Sequence, residues 1–155
     1  MPSAFQIVDY EPRHAAAWLA LNEGWLSEGG FAFEAKDRRA LDDPQGAVLA
    51  SGGRIFMVEG DGEAIGCCAL IPMADGGFEV AKMCVSPDAR GLGLGRALMQ
   101  RCEDVARAGG ASRLYLETSS TLVPAGRLYR SFGFVDLPPS LSPYVRCDLW
   151  MEKRL

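Results

Sequence analysis

Apolar and polar positions change period several times along the chain, and each change marks an element. Phe5 and Ile7 alternate with polar neighbours as a short strand does, running toward Asp9 and Tyr10. After Glu11-Pro12 the period lengthens. Trp18, Leu21, Trp25 and Leu26 recur at helical spacing until Glu28-Gly29-Gly30 stops the pattern. A short second helix fits Ala35 to Leu41 before Asp42-Asp43-Pro44, in a weakly patterned region. From Arg54 the signal is β: Arg54 to Glu59 and Glu63 to Ile71 flank Gly60-Asp61-Gly62, whose Asp-Gly pair suits a tight hairpin turn. Ala74-Asp75-Gly76-Gly77 turns the chain again into Phe78 to Val85, completing three successive antiparallel strands. Leu94 to Ala108 returns to helical period, with Leu94, Leu98, Cys102 and Ala106 on one face and Gly109-Gly110 at its end. Arg113 to Thr118 then reads as a strand, Val123 to Phe132 as a helix closed by Gly133, and Tyr144 to Met151 as a terminal strand.

At 155 residues, 48% hydrophobic and 23% charged, the composition is that of one compact domain spanning residues 1–155, with no internal repeat or linker. A chain of this length buries roughly 70% of its unfolded surface, enough for a core without staples. The formal charge of −4 and the lack of a basic block argue against a nucleic-acid or anionic-membrane partner. No basic start precedes an apolar run. The nearly apolar stretch Ala64 to Ala74 falls short of the about 18 residues a membrane span needs, so a cytoplasmic protein is expected. The five cysteines Cys67, Cys68, Cys84, Cys102 and Cys147 form no CxxC pair and have only His14 as an imidazole companion. They are expected to be reduced structural thiols, with no metal site. Adjacent strand residues Cys67 and Cys68 point to opposite faces and cannot share a metal.

The chemistry gathers in Arg90-Gly91-Leu92-Gly93-Leu94-Gly95-Arg96, between a strand and the start of a helix. Unpartnered amides and the positive end of the helix dipole favour an anion there, glycines let the backbone approach it, and Arg90 and Arg96 add full charge. The dinucleotide fingerprint would need glycine where Arg96 stands, and a Walker loop would need Gly-Lys-Ser or Gly-Lys-Thr. The loop is suited to a pyrophosphate.

Arg90 to Gly95 resembles the R/Q-x-x-G-x-G/A signature of the GCN5-related N-acetyltransferases (GNAT), whose loop binds the pyrophosphate of acetyl-CoA. The run Ala125-Gly126-Arg127-Leu128-Tyr129-Arg130-Ser131-Phe132-Gly133-Phe134 is similar to that family's A-x-x-L-Y-x-x-x-G-F segment. The resemblance covers Arg54 to Phe134 well. It implies an α/β (α+β) acyl-CoA N-acyltransferase fold, a central, mostly antiparallel mixed sheet flanked by helices. It further implies transfer of an acetyl group from acetyl-CoA to a primary amine by direct attack. Where many members carry Asn, three residues before the motif's Ala, this chain has Leu122, with Ser119, Ser120 or Thr121 as substitutes.

The resemblance also assigns roles. The backbone of Met83, Cys84 and Val85 pairs with the pantetheine arm, with the Met83 N–H near the thioester carbonyl, and the loop from Arg90 through Gly91, Leu92, Gly93, Leu94 and Gly95 to Arg96 holds the pyrophosphate. Tyr129 matches the tyrosine that protonates the departing thiolate. Glu79 stands where some relatives place the glutamate that deprotonates the incoming ammonium, and alternation places Glu79, Ala81, Met83 and Val85 on one face. Glu117 is the second candidate base. Cys84 lacks a nearby His and is not expected to form an acyl-enzyme. The acceptor is open among a small-molecule amine, an amino acid and a peptide, its choice lying with Trp25 to Pro44 and Leu137 to Tyr144. An idle acyl-CoA-binding sensor and an enzyme using another acyl donor are the alternative readings. The terminal strand, free to pair at a sheet edge, suggests a homodimer.

Overall fold

The computed structural model describes residues 4–155, and in it seven strands form one mixed sheet in the order β1-β2-β3-β4-β5-β7-β6. The chain enters through β1 (Phe5–Asp9), crosses the sheet as α1 (Ala15–Glu28), α2 (Ala35–Asp42) and the single turn α3 (Pro44–Ala47), then lays down β2 (Arg54–Gly60), β3 (Glu63–Pro72) and β4 (Phe78–Val85). The helix α4 (Leu94–Ala108) leads to β5 (Arg113–Thr118), α5 (Val123–Ser131) leads to the two-residue β6 (Val135–Asp136), and β7 (Leu149–Arg154) inserts between β6 and β5. All neighbours are antiparallel except β4 and β5.

The meander follows from local chemistry. Asp61 and Gly62 both adopt positive φ, +51° and +80°, which matches the right-handed twist of the flanking strands and closes the β2–β3 hairpin. Both faces of these strands are covered, which explains their near-continuous apolar runs. Phe56, Val58, Cys68 and Leu70 face α4, while Ile55, Met57, Cys67 and Ala69 face α1 and α2. Leu98, Met99 and Cys102 of α4 are fully buried on the first side, and Trp18 of α1 on the second. Each such side chain contributes about 1.5–3 kcal/mol through burial. Cys67 and Cys68 accordingly serve opposite cores, and all five cysteines are free thiols.

The C-terminal end departs from the sequence expectation. The strand begins at Leu149 rather than Tyr144 and runs on to Arg154. Its polar end stays in the ladder because each charge has a partner: Glu152 accepts from Arg113 at 3.1 Å and Lys153 Nζ donates to Glu103 at 2.5 Å. Residues 144–148 instead form an irregular strap that turns toward α2. Nor is β7 a sheet edge, since Val135 and Asp136 pair with Glu152 and Met151 on its outer side, so the edge-pairing argument for a homodimer loses its premise. No helix among the described residues is long and apolar enough to cross a membrane.

Candidate active site

The sheet parts along one seam. β4 and β5 are in parallel register only at Phe78 with Leu114 and Glu79 with Tyr115. Beyond Glu79 the two strands diverge, so the edge of β4 from Val80 to Val85 has no strand beside it on that side. The cleft thus opened is lined by Met83 and Cys84 from β4, by Leu116 and Ser119 at the end of β5, and by Tyr129 of α5.

At the far end of β4 lies the glycine loop. Gly91 and Gly93 sit at φ +81° and +78°, and Gly93 is the residue preceding the first turn of α4. Among the described residues, none of the amide N–H groups from Gly91 to Arg96 has an acceptor within the protein; the first inward bond is from Ala97 to the Gly93 carbonyl, 3.0 Å. That leaves a run of donors at a helix N-terminus, the arrangement that receives phosphate oxygens. Arg90 is held beside it by Glu28 of α1, at 2.6 and 3.1 Å, and Arg96 by the Ser131 hydroxyl at 2.6 Å. A Cβ on Gly95 would come within 3.1 Å of the Leu128 side chain, so α4 and α5 pack closest where that glycine stands.

A bulge in β4 corrects the face assignment made from alternation. Ala81 pairs with Ala69 and Cys84 with Cys67, so two β4 residues oppose Cys68 alone, and Lys82 is in the left-handed region at φ +55°. For a non-glycine residue this conformation costs about 1–2 kcal/mol. The bulge inverts the pleat. Glu79 and Ala81 keep company with Cys84 on the α1–α2 face, whereas Met83 and Val85 pack with Val80 on the α4 face. The bulge carbonyls are met by thiols from either side: Cys68 Sγ donates to Ala81 and Cys67 Sγ to Lys82, each at 3.6 Å.

Tyr129 and Glu79 therefore approach the seam from opposite faces, and both line the cleft. The Tyr129 hydroxyl has no hydrogen-bond partner among the described residues, and burial pushes its pKa upward, so the phenol keeps its proton. Glu79 also makes no hydrogen bond; burial raises its carboxyl pKa above 4.5, with Lys36 pulling it down and Glu117 pushing it up. Glu117, the other candidate, is occupied: it accepts from the Ser142 hydroxyl at 2.6 Å and from the Tyr115 hydroxyl at 2.8 Å. Cys84 is 3% exposed and its thiol donates to Asn22 Oδ1 at 3.4 Å, a structural contact rather than a poised nucleophile. Of the three hydroxyls beside Leu122, Ser119 reaches the cleft and bonds to Thr121 at 2.7 Å, while Ser120 is tied to Asp148.

The α1–α2 side of the cleft holds residues that the sequence pattern does not single out. Asp37 of α2 is fully buried and receives Arg146 from the strap through both carboxylate oxygens, at 2.7 and 2.8 Å, together with the Lys82 ammonium. Burial alone would raise the Asp37 carboxyl, but Arg146, Lys82 and the Glu34 amide outweigh it and hold it well below the ordinary carboxylate range. Burial pulls the Lys82 ammonium the other way, below its usual value, against the charge of Asp37. The Tyr144 hydroxyl accepts from Lys82 at 3.2 Å, and the Arg146 guanidinium stacks over the Tyr144 ring at 4.2 Å and faces Trp25 at 5.7 Å. The one local signal was the Glu34–Asp37 spacing of a capping box at the start of α2, which says nothing of partners many residues away.

Comparison with known proteins bears on the family and the fold. A model of the acetyltransferase (GNAT) family matches residues 15–134. An IAA acetyltransferase of Azospirillum brasilense is 42% identical over 105 residues, which cover 66% of this chain and 68% of that protein. Among solved structures, a GNAT-family acetyltransferase of Staphylococcus aureus superposes with a TM-score of 0.88 at 19% identity, over 97% of this chain and 99% of the other. A Salmonella typhimurium protein solved with its cofactor acetyl-CoA superposes with a TM-score of 0.78 at 22% identity, over 98% and 94%. The structures speak for the fold, the family model and the Azospirillum relative for kinship, and together they establish that the chain belongs to the acetyltransferase (GNAT) family.

Proposed function

We propose that the protein transfers the acetyl group of acetyl-CoA to a primary amine by direct attack in a ternary complex. The observation that carries this reading is the continuity of the unpaired β4 edge with the free amides of the glycine loop. The cofactor's shape matches that track: a pyrophosphate for the amides of Gly91 to Arg96, flanked by Arg90 and Arg96, and a pantetheine arm whose own amides pair with the main chain of Met83, Cys84 and Val85. The Met83 N–H then faces the thioester carbonyl and stabilises the charge that develops on its oxygen.

Each remaining step has a group on the cleft wall. The amine nitrogen attacks the carbonyl carbon as its proton passes to Glu79, directly or through a water; the carbon–sulfur bond breaks, and Tyr129 gives its proton to the departing thiolate. A carboxyl with a raised pKa is a stronger base than an ordinary glutamate, and a phenol with no internal partner is free to donate. Cys84 takes no covalent part, being buried against Asn22.

Titration calorimetry with acetyl-CoA and with pantetheine fragments lacking phosphate, followed by thiol release against an amine panel, tests the reading. Binding is expected to require the pyrophosphate, and at least one amine to turn over. Tyr129→Phe should lower kcat about 100-fold or more while leaving the Kd for acetyl-CoA within a factor of about two. Tight binding without turnover by any amine would identify an acyl-CoA sensor instead. Faster turnover with a longer acyl-CoA would reassign the donor.

A further inference from the structure

A second recess adjoins the reaction cleft on the α1–α2 face of the sheet. Glu79, Lys82 and Tyr144 form the wall common to both. Its floor is apolar, made of Val48, Ala69, Ile71 and Ala81, and Lys36 and Arg39 of α2 stand at its rim. An acceptor whose amine lies against Glu79 extends the rest of its body into this space.

The charges there are unbalanced in one direction. Lys82 and Arg146 are matched by Asp37 and Glu34, so that pair of cations is internally neutralised. Lys36 and Arg39, by contrast, enter no ion pair among the described residues. Lys36 Nζ stands 5.2 Å from the centroid of the Tyr144 ring, which orients an ammonium without neutralising it. Glu79 is the one carboxylate lining the recess, and it is the group assigned to the reacting nitrogen.

We infer that the acceptor is an amine that also bears a carboxylate, the two separated by a short apolar body, with Lys36 and Arg39 as the residues that select the carboxylate. The inference rests on the transferase reading above and adds the class of its substrate. An acceptor with a second ammonium meets Lys36 and Arg39 with like charge, and an uncharged tail leaves both rim cations unmatched. The apolar floor accommodates methylene or branched aliphatic carbon and offers a buried polar group no partner.

The test compares kcat/KM for three matched sets of acceptors: aliphatic amino acids of increasing length between amine and carboxylate, their carboxamides, and the corresponding amines lacking the carboxyl group. The carboxylates are expected to be preferred by about tenfold or more over their carboxamides at low salt, as two partly exposed ion pairs allow. The double variant Lys36→Ala/Arg39→Ala should bring that ratio close to one. Lys36→Glu should shift preference toward diamines. The Kd for acetyl-CoA reports that each variant is folded. If amines react but the carboxylate confers no advantage, or if the double variant leaves the ratio intact, the inference is overturned and the transferase reading stands. If no amine of any set releases thiol while acetyl-CoA binds, both fall.

Discussion

From Gly91 to Arg96 the proposed coenzyme side presents main-chain N–H groups without internal acceptors, whereas the α1–α2 side of the cleft, the proposed acceptor side, is held together by Asp37, Lys82 and Arg146 drawn from α2, β4 and the strap. The two sides therefore fail differently. Amides of the peptide backbone are present whatever the side chain, so the coenzyme side depends on conformation, chiefly the positive φ of Gly91 and Gly93. The acceptor side depends on charge balance inside a nearly dry space, where removing one partner strands the others.

The sharpest way to break the comparison is Asp37→Ala. With Lys82 left buried without its carboxylate and Arg146 left with Glu34 alone, the protein should lose about 3–5 kcal/mol of stability, read by urea denaturation. The wild-type contribution is complete above the ordinary carboxylate pKa of 3.8 and is lost as the pH falls through the depressed value, so the variant and the wild type should converge in strong acid. Arg146 keeps Glu34 in the variant, and Lys82, already held below its usual value by burial, can shed its proton, which places the expectation nearer the lower bound.

Gly93→Ala should have a smaller, differently distributed effect. A Cβ there meets nothing within 4 Å, so the penalty is conformational, about 1–2 kcal/mol, and the loop escapes it by abandoning the left-handed turn. Acetyl-CoA binding measured by calorimetry should weaken about tenfold, with the acceptor KM little changed. An equal rise in both would mean that the two sides are not separable.

The smallest effect on stability is expected from Glu79→Gln, and its sign is reversed. Burial raises the folded-state pKa of Glu79 above 4.5, so ionising it at neutral pH opposes folding, and the amide removes that cost; Tm should rise by about 1–3 °C. In the same variant the acidic limb of the kcat/KM profile, which in the wild type lies above pH 4.5, should disappear along with most of the activity.

The same division decides what could be read from the sequence. The β2–β3 hairpin, the glycine loop and the span of α4 were legible because turn residues, period and caps act within a few positions of one another. Tyr129 and Glu79 came from motif position, and both do line the cleft. The inversion at Lys82 was not legible, since a bulge adds a residue without altering the apolar pattern of Val80, Ala81, Met83 and Cys84. Nor was the strap. Tyr144 to Cys147 alternate as a strand does, yet Arg146 leaves the sheet to reach Asp37 in α2, a partner fixed only by the folded chain. The end of β7 is equally hidden, because Glu152, Lys153 and Arg154 have the pattern of a solvated tail until Arg113 and Glu103 are beside them.

The short register between β4 and β5 has a mechanical side. Strands β1 to β4 come from the chain before Ser86 and strands β5 to β7 from the chain after Ser112, and only Phe78 with Leu114 and Glu79 with Tyr115 join these two panels in the sheet. A molecule lying in the seam touches both panels and acts as a splint between them. Occupancy should then stiffen the sheet where its own ladder is thinnest, and saturation at a hundred times Kd would add about 2.7 kcal/mol to its resistance to unfolding. Hydrogen exchange should record the gain first along Val80 to Val85 and Leu116 to Thr118, the two margins of the opening.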